Sequence, residues 1–225
     1  MNEPIRLSGK LYLLGINPKK GGIISSSYTA MDYILLGSLF LELYRHKNIR
    51  FEGKRIIIQE PTSKISLHHY LLEKMSKPKR SLKISRWMNK LYFSLKYIRK
   101  EIQQELVKKR IIRMQTRRFL FFRWQKPVIM NKQLLYHLVE DIENQVFRGT
   151  SDEEEIMLLS MIKPAGLLKR IFQNKEKRKR AQKQLNQLMV ENQVSIAVAD
   201  AISAAQAVAA SIAVSAATSA AVTSS

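Results

Sequence analysis

Dense positive charge in the middle of the chain is the feature with the clearest chemical meaning. Residues 74–132 hold nineteen lysines and arginines but only two acids, Glu101 and Glu105, in a chain whose total charge is +21. Large aromatic side chains are interleaved with these cations: Trp87, Tyr92, Phe93, Tyr97, Phe119, Phe121, Phe122 and Trp124. Positive charge attracts anionic surfaces over long distances, and aromatic rings add short-range contact. Two partners fit this chemistry, the anionic face of a membrane and nucleic acid.

Residues that could carry out catalysis or bind a metal are few. The chain has no cysteine, which excludes disulfides, a thiolate nucleophile and cysteine-based zinc sites. His68 and His69 are adjacent, so on a helix they would diverge by about 100°. No phosphate-binding glycine loop and no serine-nucleophile motif is present. The sequence therefore predicts no enzyme, no cofactor and no metal site, although a pocket of converging polar groups would support an enzyme instead.

Two charged clusters outside the central stretch have simpler interpretations. The acids Asp152–Glu155 follow Ser151, and we expect them to open a helix through a capping box between Ser151 and Glu154. The run Lys175–Arg180 has five basic residues in six. It is a candidate nucleic-acid patch, but a solvated helix face is the usual meaning of such a run.

The first group of central cations is placed by an amphipathic helix predicted over Ile84–Val107. Eight apolar side chains fall within an arc of about 100° at 3.6 residues per turn: Ile84, Trp87, Met88, Leu91, Leu95, Ile98, Ile102 and Leu106. Outside this arc lie the basic residues Lys83, Arg86, Lys90, Lys96 and Lys100, with Arg99 on its flank. One side of the helix can therefore pack on a core while the other presents cations.

A β-hairpin is predicted next, from Ile111–Met114 and Phe119–Trp124, with a turn at Gln115–Arg118 and an end at Pro127. Its apolar second strand is framed and interrupted by cations, in the order Arg117, Arg118, Phe119, Leu120, Phe121, Phe122, Arg123, Trp124 and, further on, Lys126. A core strand would bury the aromatics. A protruding hairpin would instead suit a membrane interface or an oligomer contact.

The remaining elements are expected to be mainly helical. Thr29–His46 is apolar on most sides and is predicted to be a central buried helix. Leu11–Ile16 is a short apolar run, followed by a predicted turn at Asn17–Gly22 and a returning strand at Ile23–Ile24, and Ile49–Gln59 is predicted to be a hairpin. Further helices are predicted at Ile65–Met75, Asn131–Val146, Asp152–Met161 and 181–190.

The termini give little sign of membrane insertion. The first residues lack a basic segment followed by an apolar run, so no signal peptide is expected. The uncharged run Ala201–Ser225 is long enough to span a bilayer, but it is mostly alanine and serine, which do not favour insertion.

Several short motifs, in order and spacing, resemble a known family. They are Leu11-Tyr-Leu-Leu-Gly, Gly22-Ile-Ile-Ser-Ser-Ser, Leu36-Gly-Ser-Leu-Phe-Leu-Glu-Leu43, Pro61-Thr62, Ser85-Arg86-Trp87, Leu106–Ile112 and Ala165–Phe172. Over about residues 8–215 the chain resembles the Golgi phosphoprotein 3 family, and its Ala-rich end is similar to that of bacterial members. The resemblance implies a mainly α fold. We expect a single compact helical domain at 1–195, with a protruding β-hairpin and small strands near the N-terminus, and an Ala/Ser-rich tail at 196–225.

The resemblance also implies a lipid-binding role. Eukaryotic members of the family are peripheral membrane proteins that bind phosphatidylinositol 4-phosphate and oligomerise, and the hairpin, about Ile111–Val128 here, contributes to both. Two basic residues of the family's head-group pocket match Lys96 and Arg99. Its Trp and its other Arg are replaced by Ser27 and Leu36.

The leading hypothesis is a cytoplasmic, non-enzymatic protein that associates peripherally with membranes. Anionic lipid phosphate would be held by Lys96, Arg99, Lys90 and Lys100. The membrane or a second copy of the chain would be contacted by the hairpin residues Arg117, Arg118, Phe119, Phe121, Phe122, Arg123 and Trp124. Protein partners at the membrane also fit, and non-specific nucleic-acid binding through the same cations is the alternative, without a recognised motif to support it.

Overall fold

The computed structural model describes residues 4–28, 30–78 and 80–191. The helices of this part are α1 (Leu7–Gly15), α2 (Met31–Arg45), α3 (Ser66–Ser76), α4 (Ile84–Lys90), α5 (Leu95–Lys108), α6 (Lys132–Arg148), α7 (Glu153–Ile162), α8 (Leu168–Ile171) and α9 (Lys175–Glu191). The strands are β1 (Ile49–Glu52), β2 (Arg55–Ile58), β3 (Leu82–Lys83), β4 (Ile112–Phe119) and β5 (Phe122–Ile129). The predicted mainly α fold with a β-hairpin is confirmed.

The centre of the domain is formed by α1 and α2, whose residues are almost all buried. Helix α2 confirms the predicted central helix. Helix α1 includes most of the apolar run Leu11–Ile16, and the expected returning strand is reduced to one bridge between Ile16 and Ile23. A short run that is apolar on all sides fits a buried strand and a buried helix equally well, so its sequence does not separate the two.

A small antiparallel sheet lies beside this core, in the order β1-β2-β3. The predicted hairpin is confirmed, with Ile49 opposite Ile58 and Glu52 opposite Arg55. The tight turn uses Gly53 at φ 54°, a left-handed conformation that glycine adopts at little cost. Helix α3 lies between β2 and β3 in the chain, close to its predicted bounds.

The helix predicted over Ile84–Val107 is two helices. Helices α4 and α5 are separated by a 3-10 turn at Tyr92–Ser94, here called the α4–α5 turn. All eight residues of the predicted apolar arc are nevertheless buried, from Ile84 to Leu106. The periodicity therefore identified the buried side correctly and missed the break.

The second hairpin, β4-β5, is longer than its aromatic run suggested. Eight residue pairs join the strands, from Ile112 opposite Ile129 to Phe119 opposite Phe122. The turn is Leu120–Phe121, so the predicted turn at Gln115–Arg118 is wrong. Pro127 does not end the hairpin but lies within β5; a proline is tolerated on an edge strand, and both strands of a two-stranded sheet are edges.

The described residues after the hairpin are mainly helical, and side chains cap two of their helices. The side chain of Asn131 accepts a hydrogen bond from the Leu134 N–H and so caps α6. The predicted Ser151–Glu154 capping box is wrong: Asp152 caps α7 by accepting from the Glu155 N–H. Helix α9 begins at Lys175, earlier than predicted.

None of the described helices is long and apolar enough to cross a membrane. The run Ala201–Ser225 and the tail at 196–225 lie outside the described residues, so the predicted division into a domain and a tail stays a prediction.

Candidate lipid-binding surface

The outer side of α5 carries three of the predicted phosphate ligands. Lys96 and Lys100 are exposed, and Arg99 is half-buried between them and the core. Inward-facing Leu95, Ile98 and Ile102 fix the orientation of the helix because all three are buried. Residues three or four apart on a helix are neighbours, so the three cations lie close together along one side.

Lys90 belongs to the preceding helix and is positioned by an aromatic ring. It lies in the last turn of α4, with its ammonium 5.9 Å from the centroid of the Trp87 ring. Trp87 is itself buried against the core. A cation over an aromatic face is held loosely and remains accessible to an anion.

Arg99 differs from the lysines because it already has an anionic partner. Its Nη1 lies 3.2 Å from Oδ1 of Asp32 on α2. Burial raises the pKa of Asp32 above its ordinary value, and the Arg99 guanidinium partly opposes this by favouring the ionised form. A lipid phosphate would have to compete with Asp32 for Arg99, and sequence spacing alone gave no sign of this pair.

The two positions that depart from the family pocket are structural. Ser27 is fully buried and its Oγ donates to the carbonyl oxygen of Ala165 at 2.5 Å. The backbone here comes so close to Gly166 that a Cβ on that glycine would overlap the Ser26 carbonyl oxygen. Leu36 is fully buried in the core. Neither Ser27 nor Leu36 can supply a charge to a head group.

Acidic partners are scarce around the central cations. Among the described residues of 74–132, three basic side chains form ion pairs with carboxylates: Lys77 with Glu73, Arg99 with Asp32, and Lys109 with Glu105. No other lysine or arginine that the structure describes in this stretch has such a pair. Most of the positive charge on the described residues of this stretch is therefore not neutralised by an ion pair.

The hairpin tip, residues 117–124, exposes several large apolar side chains. Phe121 in the turn is 97% exposed and Leu120 beside it is 77% exposed. Phe122 and Trp124 follow at 72% and 48%. Of the two alternatives, burial in a core strand is excluded for Phe121, Phe122 and Trp124. Leu120 was not among the predicted contact residues, because the turn was expected at Gln115–Arg118 and Leu120 within the second strand.

Two of the three arginines of the hairpin tip lie opposite each other on the β-ladder. Arg118 lies directly opposite Arg123, and Arg117 lies opposite Trp124. All three arginines are exposed. Like charges directly opposite each other on a β-ladder are destabilising. An anion bound at this side would relieve that repulsion.

Two of the side chains considered for metal binding or catalysis have partners within the domain. His68 is fully buried, with Nε2 2.7 Å from Oε2 of Glu42. Glu154 forms ion pairs with Lys10 and with Arg45. Within the described ranges, no group of three potential metal ligands converges.

The basic run at the start of α9 is partly committed within the domain. Lys177 pairs with Glu143 at 2.7 Å, and Lys179 pairs with Glu176. Nη1 of Arg178 donates to the carbonyl oxygen of Phe172 at 3.1 Å. The structure therefore favours the helix-face interpretation of this run.

Comparison with known proteins adds one finding to this geometry. No curated protein matches the sequence. The model of the family described as Golgi phosphoprotein 3 (GPP34) matches residues 7–205, most of the chain, which agrees with the helical fold and the hairpin described above. The chain therefore belongs to the Golgi phosphoprotein 3 family.

Proposed function

We propose that this protein is a non-enzymatic, cytoplasmic protein that binds anionic phospholipid at the surface of a membrane. Family membership favours this function over nucleic-acid binding, since lipid binding is what the family resemblance implies. Several features support it: exposed lysines on α4 and α5, the scarcity of acids that pair with them, and the exposed hairpin tip.

The observation that carries the proposal is the composition of the hairpin tip. Apolar side chains as exposed as Phe121 are costly in water, and burying a Phe side chain gains about 1.5–3 kcal/mol. The flanking arginines would lie at the depth of lipid phosphates when the apolar residues enter the interface. A neutral partner would satisfy the apolar side chains but not the opposed pair Arg118 and Arg123.

Phosphate recognition is proposed for Lys96, Lys100 and Lys90, with Arg99 as a fourth ligand once it is released from Asp32. Phosphatidylinositol 4-phosphate is the candidate head group because Lys96 and Arg99 match the family's paired cations. With Ser27 and Leu36 uncharged, half of the family pocket is missing. We therefore expect a modest preference for this lipid and a stronger general preference for anionic bilayers.

The test is co-sedimentation with vesicles of three compositions: phosphatidylcholine alone, phosphatidylcholine with phosphatidylserine, and phosphatidylcholine with phosphatidylinositol 4-phosphate at matched charge. Each basic residue near an anionic bilayer contributes about 1 kcal/mol, so replacing both Lys96 and Lys100 with Gln is expected to weaken binding about thirtyfold. Replacing Lys175 and Lys183 of α9 with Gln removes the same charge elsewhere and serves as the control. Equal recovery with neutral and anionic vesicles would contradict the proposal.

Self-association through the hairpin is a further part of the proposal, implied by the same family. Sedimentation velocity over a range of concentrations tests it, with Phe121→Ala as the variant expected to remain monomeric.

Nucleic-acid binding is tested by mobility shift on duplexes of different sequence. Affinity for duplexes that is similar for every sequence and exceeds the affinity for anionic vesicles at the same ionic strength would favour that alternative.

A further inference from the structure

The α4–α5 turn exposes a second apolar side chain far from the hairpin in sequence. Phe93 is 92% exposed, and Tyr92 beside it is 55% exposed. Single exposed apolar residues are common on protein surfaces, so exposure alone indicates nothing. Three further features of this turn indicate a function: its support by the core, the charge around it and its connection to the hairpin.

The turn is supported by the core, so that Phe93 is presented outward. The Tyr92 ring meets the Phe93 ring edge-on at 5.5 Å and lies 6.5 Å from the Tyr33 ring of α2. On the inner side, the Ser94 hydroxyl is hydrogen-bonded to the Tyr70 hydroxyl at 2.9 Å and Ser94 is buried. An aromatic ring fixed in this way loses little conformational entropy when it is buried in a binding partner.

Cations flank the turn on both sides. Lys90 precedes Phe93 by three residues and Lys96 follows it by three, and neither pairs with a described carboxylate. Asp32, the sequence neighbour of Tyr33, is engaged by Arg99, and Glu101 follows Phe93 by about two helical turns. An exposed aromatic ring between unpaired lysines has the chemistry of a membrane-interface anchor, because the ring enters the acyl boundary while the ammonium groups remain among the phosphates.

One short segment of chain contacts both the hairpin and the α4–α5 turn. At its start, the Gly22 N–H donates to the carbonyl oxygen of Pro127 in β5 at 2.8 Å. At its end, Tyr33 lies against Tyr92. Between them Tyr28 is 70% exposed. The base of the hairpin and the turn are therefore connected through one short stretch of chain, which favours their contacting the same bilayer.

From these contacts we infer that Tyr92 and Phe93 form a second membrane anchor, which inserts into the interface of an anionic bilayer beside the hairpin tip. This inference rests on the proposed lipid-binding function and extends it. Two anchors would fix the orientation of the domain on the membrane and bring Lys90, Lys96 and Lys100 to the phosphate layer. A hairpin alone would leave the domain free to tilt.

The test places a fluorescent reporter in the turn. Phe93→Trp is combined with Trp124→Phe, so that the buried Trp87 is the remaining, constant tryptophan. On addition of vesicles of phosphatidylcholine and phosphatidylserine, emission of the introduced indole is expected to shift to the blue and to be quenched by lipids brominated near the glycerol end of the acyl chain. In the otherwise native chain, Phe93→Ala is expected to weaken vesicle binding about tenfold. Tyr136→Ala, which removes an exposed ring from α6, is the matched control and should bind like the native chain.

The outcomes separate this inference from the proposed function. If vesicles bind but the introduced indole stays unquenched and Phe93→Ala binds normally, the second anchor is refuted while lipid binding stands. If the native chain binds no vesicle, both are refuted. A blue shift that grows with protein concentration without lipid would show that the turn is an interface between copies of the chain, which also overturns the inference. Far-ultraviolet circular dichroism on both Phe93 variants ensures that the comparison is made on folded protein.

Discussion

At the level of single residues, the pair between Arg99 and Asp32 sets how tightly a phosphate can be held. Arg99 is the one predicted phosphate ligand with an ion-pair partner among the described residues. Asp32 is half-buried, and the pKa of its carboxyl group is raised chiefly by that burial. Asp32 therefore acts as an internal competitor for the lipid.

Replacing Asp32 with Asn should increase affinity for anionic vesicles. The change keeps the shape of the side chain, releases Arg99 and removes one negative charge, which at about 1 kcal/mol per charge corresponds to about fivefold tighter binding. Vesicle co-sedimentation measures the effect. Glu140→Gln on the exposed side of α6 makes the same change in net charge and should alter affinity much less; equal gains in both variants would mean that only total charge matters.

The buried pair of Glu42 and His68 determines stability rather than binding. Burial by itself would raise the pKa of Glu42, but hydrogen bonds from His68 and the Ser8 N–H, together with the charge of His68, outweigh burial and hold that pKa below its ordinary value of 4.5. Ionised Glu42 therefore stabilises the folded chain above pH 4.5, and this contribution is lost as the pH falls through the lowered pKa.

Glu42→Gln should accordingly destabilise the domain in a pH-dependent way. We expect the free energy of unfolding to fall by about 2 kcal/mol near neutral pH, since charge-assisted hydrogen bonds are replaced by neutral ones. Urea denaturation of both proteins across a pH series measures the gap, which should narrow below pH 4.5. A gap that widens on acidification would show that the assigned direction of the pKa shift is wrong.

At the level of elements, the hairpin β4-β5 has an apolar residue in a strained backbone conformation at its turn. Leu120 has φ 52°, a left-handed conformation that costs a non-glycine residue about 1 kcal/mol. Glycine would adopt it without strain and is the usual choice in two-residue turns. A leucine at position 120, in place of the usual glycine, is explained if its exposed side chain contacts a partner.

Leu120→Gly should separate folding from binding. Relief of the strain and the greater freedom of unfolded glycine nearly cancel, so the free energy of unfolding should change by less than about 1 kcal/mol. Vesicle affinity should nevertheless fall about tenfold, because the side chain that enters the interface is gone. Thermal denaturation and co-sedimentation on the same sample test both statements, and unchanged affinity would remove Leu120 from the contact surface.

At the level of the whole molecule, charge is distributed unevenly along the chain. Residues 61–150 carry twenty-one basic and six acidic groups, a net charge of +15, whereas residues 1–60 carry nine and five, and residues 151–225 carry nine and seven. A field of this kind acts before contact is made and depends on ionic strength. Apolar insertion, by contrast, is little affected by moderate salt.

Salt should therefore weaken binding without abolishing it. Raising sodium chloride from about 0.1 M to about 0.5 M shortens the screening length roughly twofold and is expected to lower affinity for anionic vesicles at least about tenfold. The remaining binding should be lost in Phe121→Ala. Complete loss at high salt in the native chain would mean that the exposed aromatics do not insert.

The sequence alone determined the buried side of the segment that forms α4 and α5, and the region of highest charge. The eight apolar positions between Ile84 and Leu106 are all buried, because side-chain direction in a helix follows directly from spacing. The same periodicity did not reveal the break at Tyr92–Ser94. A single 3-10 turn rotates the register only slightly, so the apolar pattern continues across it. Phe93 was therefore expected on a helix face and is found at an exposed turn.

Tertiary structure decided where the hairpin turns and which cations are free. Polar residues such as Gln115 and Thr116 indicate a turn only where the neighbouring strands alternate between buried apolar and exposed polar side chains. A hairpin that projects into solvent has no buried face, so polar residues also occur within its strands. Ion pairs such as Arg99 with Asp32 join residues far apart in sequence, on α5 and α2. Sequence spacing specifies local direction, whereas the distances between elements depend on how their buried sides pack together.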